Sequence, residues 1–94
     1  MNYLHKVFQL NKGDTLEVHL DNSANVQLLD PTNYALYSGG QPYRYHGGHV
    51  TTTPFVFEVP DDGEWHLTVD LGGGAGRVAA SVRIVPATEF ATQL

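Results

Sequence analysis

The stretch that decides the fold class is Gly63-Glu-Trp-His-Leu-Thr-Val-Asp-Leu-Gly-Gly-Gly-Ala-Gly-Arg-Val-Ala-Ala-Ser-Val-Arg-Ile-Val-Pro86. It holds two segments in which apolar and polar residues alternate, separated by a run of glycines. Successive side chains of a β-strand point to opposite faces, so this alternation predicts two half-buried strands. In the first strand the apolar set is Trp65, Leu67, Val69 and Leu71, and the polar set, expected to face outward, is Glu64, His66, Thr68 and Asp70. We interpret the stretch as a β-hairpin.

The register of this hairpin follows from matching charges and matching apolar partners. It pairs Asp70 with Arg77, Glu64 with Arg83, Trp65 with Val82 and Val69 with Val78. A slip of one residue would set Trp65 opposite an arginine and turn the core residues outward. The residues from Gly72 to Ala75 then form the turn, where glycine supplies backbone conformations with positive φ.

Upstream of residue 63, the same alternation predicts further strands separated by turn residues. The predicted strands are Tyr3–Leu10, Thr15–Leu20, Asn25–Leu29 and Thr51–Val59, and Tyr43–His46 is a short extended segment that Gly47 and Gly48 interrupt. Asp30 as N-cap, Pro31 at the first helical position and Gly39 as terminator predict one short helix over residues 31–38.

Together these elements predict an all-β protein. We expect a compact antiparallel β-sandwich, jelly-roll-like or a partly closed barrel, of about seven strands with one short helix near 31–38. The 94 residues fit a single domain, which we place at residues 1–86, followed by a flexible C-terminal tail at residues 87–94.

Composition narrows the classes of function. Ten acidic residues against five basic ones give a net charge of −5, and the basic residues are scattered, so nucleic-acid binding is not expected. No apolar run is long enough to cross a membrane and no cleavage pattern stands at the start, so no membrane association is expected. The absence of cysteine excludes disulfides and thiolate metal sites and favours a reducing compartment, so we expect a cytoplasmic protein.

The most informative region for function is the aromatic segment from Asn33 to His49, which holds four of the five tyrosines. Loops often carry binding residues, and tyrosine combines a stiff apolar ring with a polar tip. The residues predicted to bind a ligand or a protein partner are Tyr37, Tyr43, Arg44, Tyr45, His46 and His49. The alternative is that these tyrosines only cover an open end of the sandwich.

Catalytic chemistry finds weaker support. The glycine run at Gly72–Gly76 leads into a strand and not into a helix, so it is better explained as a turn than as a phosphate-binding loop. Five histidines could supply a metal site, with His46 and His49 joined by His19 or His66, but their spacing is poor. We therefore predict no catalytic residues, no metal ligands and no cofactor.

Three segments carry a family resemblance: Leu28-Leu-Asp-Pro-Thr-Asn-Tyr34, Tyr43-Arg-Tyr-His-Gly-Gly-His49 and Gly63-Glu-Trp-His-Leu-Thr-Val-Asp-Leu-Gly-Gly-Gly-Ala-Gly76. In these, and over residues 1–86, the chain resembles a small bacterial family known as domain of unknown function 1883. The resemblance implies a compact β-sandwich. Some members stand alone and others are fused ahead of a TIR domain, which implies sensing or assembly in bacterial signalling or defence. It brings no catalytic residues.

The function predicted from the sequence is a non-enzymatic β-sandwich that binds an unknown small ligand or a protein partner through the aromatic segment. Homo-oligomerisation through an exposed strand edge is a second form of the same hypothesis. The alternatives are a metal-dependent enzyme that uses clustered histidines and a carbohydrate-binding module that uses exposed tyrosines.

Overall fold

The structure is a computed structural model that describes residues 2–87. Its elements are β1 (Tyr3–Leu10), β2 (Thr15–Leu20), β3 (Ala24–Leu29), α1 (Pro31–Ser38), β4 (His46–Val50), β5 (Phe55–Glu58), β6 (Gly63–Asp70) and β7 (Ala80–Val85). The predicted tail lies, beyond Ala87, outside the described residues. Ala87 itself is held in place, because its backbone N–H donates to Asp14 Oδ1 at 3.1 Å.

The strands form two antiparallel sheets, in the orders β1-β6-β3-β4 and β5-β2-β7. This confirms the predicted all-β sandwich with about seven strands and one short helix. The two sheets bury a shared apolar core between them, as alternating apolar residues in antiparallel strands require. Its members include Leu16 and Val18 of β2, Val26 and Leu28 of β3, and Trp65, Leu67 and Val69 of β6.

The helix forms as predicted. Asp30 Oδ1 accepts a hydrogen bond from the backbone N–H of Asn33 at 2.7 Å, which caps the N-terminus, and Pro31 occupies the first turn. The backbone N–H of Gly39 closes the last turn on the carbonyl oxygen of Ala35. The helix is short, so its position depends on the sheet against which it packs.

The predicted hairpin of β6 and β7 is wrong. β6 lies between β1 and β3 in the four-stranded sheet, whereas β7 pairs with β2 in the other sheet. The glycine loop therefore crosses from one sheet to the other. The polar and apolar partners predicted for β7 come from β2 instead, because Arg83 lies opposite Glu17 and Val82 lies opposite Val18.

The boundaries of two further strands differ most from the prediction. β4 runs through Gly47 and Gly48 instead of ending before them, and β5 is confined to the four residues from Phe55 to Glu58. Gly47 allows β4 to approach β3 closely, because its φ is +128° and a Cβ atom there would overlap the carbonyl oxygen of Val26. Glycine is thus required at position 47 inside the strand.

Gly47→Ala is expected to lower the free energy of unfolding by about 3 kcal/mol or more, since it adds a backbone overlap to an unfavourable φ. Gly48→Ala is the matched control, because its φ is also positive but nothing lies within 4 Å of the added Cβ. Its cost should be about 1 kcal/mol. Urea unfolding of both variants measures the difference, and equal losses would contradict this account of Gly47.

Candidate functional site

The polar side of β6 is buried from His66 onward, whereas Glu64 is exposed as predicted. We expected its side chains to face solvent, but His66, Thr68 and Asp70 are 8%, 0% and 4% exposed. The reason is that α1 and the segment after it lie on the outer surface of the four-stranded sheet, against β3 and β6. A second, polar layer therefore covers this sheet on the side away from the core.

Asp70 connects this layer to the rest of the fold. Its Oδ2 accepts a hydrogen bond from the Tyr37 hydroxyl of α1 at 2.8 Å. Its Oδ1 accepts from Asn25 Nδ2 of β3 at 2.9 Å and from the backbone N–H of Gly72 at 2.8 Å. These three donors replace the water that a carboxylate loses on burial. They also assign a role to the first residue of the glycine loop, whose amide faces this carboxylate.

All five tyrosines of the chain lie together on this outer surface. Their rings form a continuous series with His5 and His66, which we call the aromatic face; its members are His66, His5, Tyr34, Tyr3, Tyr37, Tyr43 and Tyr45. Successive ring centroids along this series are 4.2 to 6.5 Å apart. These distances are typical of the offset and edge-to-face contacts that stabilise aromatic pairs.

One end of the aromatic face is a hydrogen-bonded pair of histidines. His5 Nε2 and His66 Nδ1 are 2.8 Å apart with the rings inclined by only 6°, so the two imidazoles meet nitrogen to nitrogen. His66 Nε2 lies 2.9 Å from Glu64 Oε2. The ring of Tyr34 stacks on both imidazoles, at 4.2 and 4.4 Å. Residues of β1, β6 and α1 thus form one planar stack.

The proton positions in this pair follow from its partners. An ionised Glu64 can only accept, so His66 Nε2 carries the hydrogen. In neutral His66, Nδ1 is then the acceptor, and His5 Nε2 donates to it. His5 Nδ1 remains as a basic nitrogen. Only a hydrogen added at His66 Nδ1 would put hydrogens on both facing nitrogens and break their contact.

Burial, assisted by the neighbouring His66, holds the pKa of His5 below its usual value of 6.5. The pKa values of two tyrosine hydroxyls on the aromatic face are raised. The hydrogen bond to Tyr3 raises the pKa of Tyr34, and burial together with the Asp70 carboxylate raises the pKa of Tyr37 well above its usual range. Both phenols therefore stay neutral, and the Tyr37 hydroxyl serves as the donor to Asp70.

The structure brings three of the six predicted binding residues together. Tyr37 is buried, Tyr43 packs edge-on against it at 5.1 Å, and Tyr45 follows at 5.5 Å with 47% of its surface exposed. Tyr43 is anchored by a 3.1 Å hydrogen bond from its hydroxyl to Gln27 Oε1. Arg44 is exposed, and its backbone N–H donates to Asn33 Oδ1 at 2.7 Å.

The two predicted histidines do not converge. Residues 46 and 49 point to opposite faces of β4: His46 packs edge-on against Trp65 at 5.9 Å, while His49 Nδ1 contacts Asn25 Oδ1 at 3.2 Å. His19 belongs to the other sheet and His66 is bonded to His5. Within residues 2–87, no three His, Asp or Glu side chains are grouped as a metal ion would need.

Sequence reasoning missed Tyr3, His5, His66 and Asp70 as members of the same surface. The spacing of two helix residues nevertheless indicated that such a surface exists. Tyr34 and Tyr37 are three residues apart, so they share one face of α1. An aromatic helix face is expected to pack against another element of the fold. The alternating polar residues of β6 form the surface against which α1 packs.

Among residues 2–87, no helix is long and apolar enough to cross a membrane.

Tyr37→Phe is expected to lower the free energy of unfolding by about 1–3 kcal/mol, because it removes a donor from the buried Asp70 carboxylate. Tyr43→Phe is the matched control. It removes a hydroxyl from the buried but neutral amide of Gln27 and should cost less, about 1 kcal/mol. Denaturant unfolding of both variants checks the order, and a larger loss for Tyr43→Phe would contradict the central role of Asp70.

The lowered pKa of His5 predicts a pH dependence of stability. An unfolded chain with an ordinary imidazole takes up a proton that folded His5 resists, so this contribution is present above the unfolded pKa, 6.5, and is lost as the pH falls through the lower folded value. The groups facing His5 are His66, Tyr34 and Tyr3, and Glu64 contacts the far nitrogen of His66.

The measurement is urea unfolding between about pH 7.5 and pH 5. His5→Gln should flatten the loss of stability toward acid, whereas His19→Gln, an exposed position on the other sheet, should leave the slope close to that of the unaltered protein. Parallel curves for His5→Gln and the unaltered protein would show that the histidine pair does not couple folding to protons.

Comparison with known proteins identifies one family. A family model described as "Domain of unknown function (DUF1883)" matches residues 1–88. Comparison with curated proteins and with solved structures gives no match. Because the family model matches nearly the whole chain, this protein belongs to the DUF1883 family, as the resemblance in its sequence predicts.

Proposed function

We propose that the protein is a non-enzymatic binding module that contacts a protein partner through Arg44 and Tyr45. The observation that carries this proposal is the exposure of Tyr45, the most open of the tyrosines, at one end of the series of rings. Tyrosine and arginine supply a large share of the energy of protein interfaces when they are held in place before binding.

The support beneath Tyr45 favours such preorganisation. Its ring rests against Tyr43, Tyr43 rests against Tyr37, and Tyr37 donates to the buried Asp70. The backbone at Arg44 is fixed by Asn33 of α1. A partner would therefore meet an aromatic ring and a guanidinium whose loop is already ordered, which lowers the entropy cost of binding.

The proposal extends to the biological context. Resemblance to domains fused ahead of TIR domains supports a role in sensing or assembly in bacterial TIR-type signalling or defence. A cytoplasmic location, favoured by the lack of cysteine, is part of the same proposal. A protein of that system, or a second copy of this chain, is the class of partner that fits.

The experiment places a photo-crosslinking amino acid at residue 45 in cells and, as a matched control, at residue 56. Val56 is 55% exposed on β5 of the other sheet. Crosslinked species are expected at position 45 and not at position 56, and Arg44→Ala should weaken them at least about fivefold, as loss of an interface hot spot would. Equal crosslinking at both positions, or none at position 45, would refute the proposal.

Carbohydrate recognition is a second candidate, favoured by the inclined pair of rings formed by Tyr43 and Tyr45. Sugars bind to exposed aromatic faces, so only Tyr45 offers a largely open surface, while Tyr37 is buried. A glycan array distinguishes this candidate, since binding that disappears in Tyr45→Ala would favour it over a protein partner.

A further inference from the structure

The two sheets have unequal numbers of strands, and the difference leaves one side of the sandwich open. β4 of the four-stranded sheet contacts β5 of the three-stranded sheet, so these strands border one side. The strand orders then place β1 and β7 along the opposite side. Within residues 2–87, each of these two strands pairs with a neighbour along one edge only. We call the region between them the open side.

Two apolar side chains on the open side occupy positions that face the core, but they are not buried as core residues are. Leu4 lies opposite Val69 and Ile84 lies opposite Leu16 in their sheets. Val69 and Leu16 are 3% and 0% exposed, whereas Leu4 and Ile84 are 45% and 39% exposed. The residues therefore lie on the inward side of their strands but remain partly open to solvent. A strand added beside β7 would face β1 and cover both.

A groove marks the same region. It has a volume of about 280 Å³ and is lined mainly by apolar residues of β1, the end of β6 and the loop that leads to β7, among them Leu4, Val69, Leu71 and Val78, together with Arg77 of that loop. One wall of the groove is β1 and the other is the loop that precedes β7. The groove therefore lies at one end of the gap between the sheets. An inserted strand would enter there.

Charge indicates what kind of strand would fit. Lys6 lies between Leu4 and Phe8 on the inward side of β1, and its Nζ is 5.5 Å from the centroid of the Phe8 ring. A charged residue that points inward from an edge strand discourages edge-to-edge association of identical chains. It favours a partner that brings a carboxylate to the same place.

We propose that the open side is a docking site for an extended peptide segment of another protein, which pairs with β7 as an eighth strand. The segment presents an apolar, an acidic and an apolar side chain in alternation toward Leu4, Lys6 and Phe8. Backbone hydrogen bonds to the edge of β7 that pairs with no strand within residues 2–87 supply affinity, and the alternating side chains supply selectivity, as in other cases of strand addition. This site borders the aromatic face at Tyr3, which also lines the groove, but it lies at the gap between the sheets and not on the outer surface.

Two synthetic peptides test the proposal, Thr-Val-Thr-Glu-Thr-Val-Thr and the same sequence with Lys in place of Glu. Both are palindromic, so the direction of strand pairing does not affect the comparison. Each is titrated into isotope-labelled protein while the amide resonances are followed by NMR. The Glu peptide is expected to shift resonances of residues 80–85 and to bind about fivefold or more tightly than the Lys peptide, the size of effect that a partly exposed charge contact supports.

Charge reversal provides the decisive control. In Lys6→Glu the preference should invert, so that the Lys peptide binds more tightly. Ile84→Glu should abolish the shifts, while Val56→Glu, at an exposed valine on the far edge of the same sheet, should preserve them. The proposal is overturned if β7 shows no shifts, if Lys6→Glu leaves the preference unchanged, or if light scattering shows a dimer that Ile84→Glu dissociates, since the occupant would then be a second copy.

Discussion

The fold depends on the burial of Asp70. A carboxylate removed from water must find hydrogen-bond donors, and Asp70 finds them on β3, on α1 and at the start of the glycine loop. These contacts fix the helix against the sheet and direct the chain out of β6 toward the opposite sheet. They also orient Tyr37, against which Tyr3 and Tyr43 pack. One acidic side chain thus sets both the path of the backbone and the position of the aromatic face.

Much of this architecture could be predicted from local patterns. The helix from Pro31 to Ser38 and the strands β1 and β2 have the predicted boundaries, because caps, turn residues and period-two alternation are encoded within a few neighbouring residues. The pairing of β6 with β7 was wrong for a physical reason. Alternation identifies the inward side chains of a strand but not the strand that lies beside it. Arg83 and Val82 find equivalent partners in Glu17 and Val18 of β2.

The candidate site, too, was predicted only where its residues are close in sequence. The segment from Tyr37 to Tyr45 does form a cluster, since its residues are close in sequence. Its other members, Tyr3, His5 and His66, reach it only through the pairing of β1 with β6. Moreover, polar residues in alternation normally face water, so nothing local indicated that those of β6 are covered. Whether a polar face is exposed depends on where the helix packs, which is a property of the whole fold.

The separation of aromatic residues between the two layers has a practical consequence. The single tryptophan, Trp65, lies in the core between the sheets, whereas every tyrosine lies on the outer surface of one sheet. Intrinsic fluorescence from the indole therefore reports on the sandwich interior, and near-ultraviolet signals from the phenols report on the helix-covered layer. The protein carries two built-in optical probes, which can distinguish detachment of the helix from collapse of the sheets without any added label.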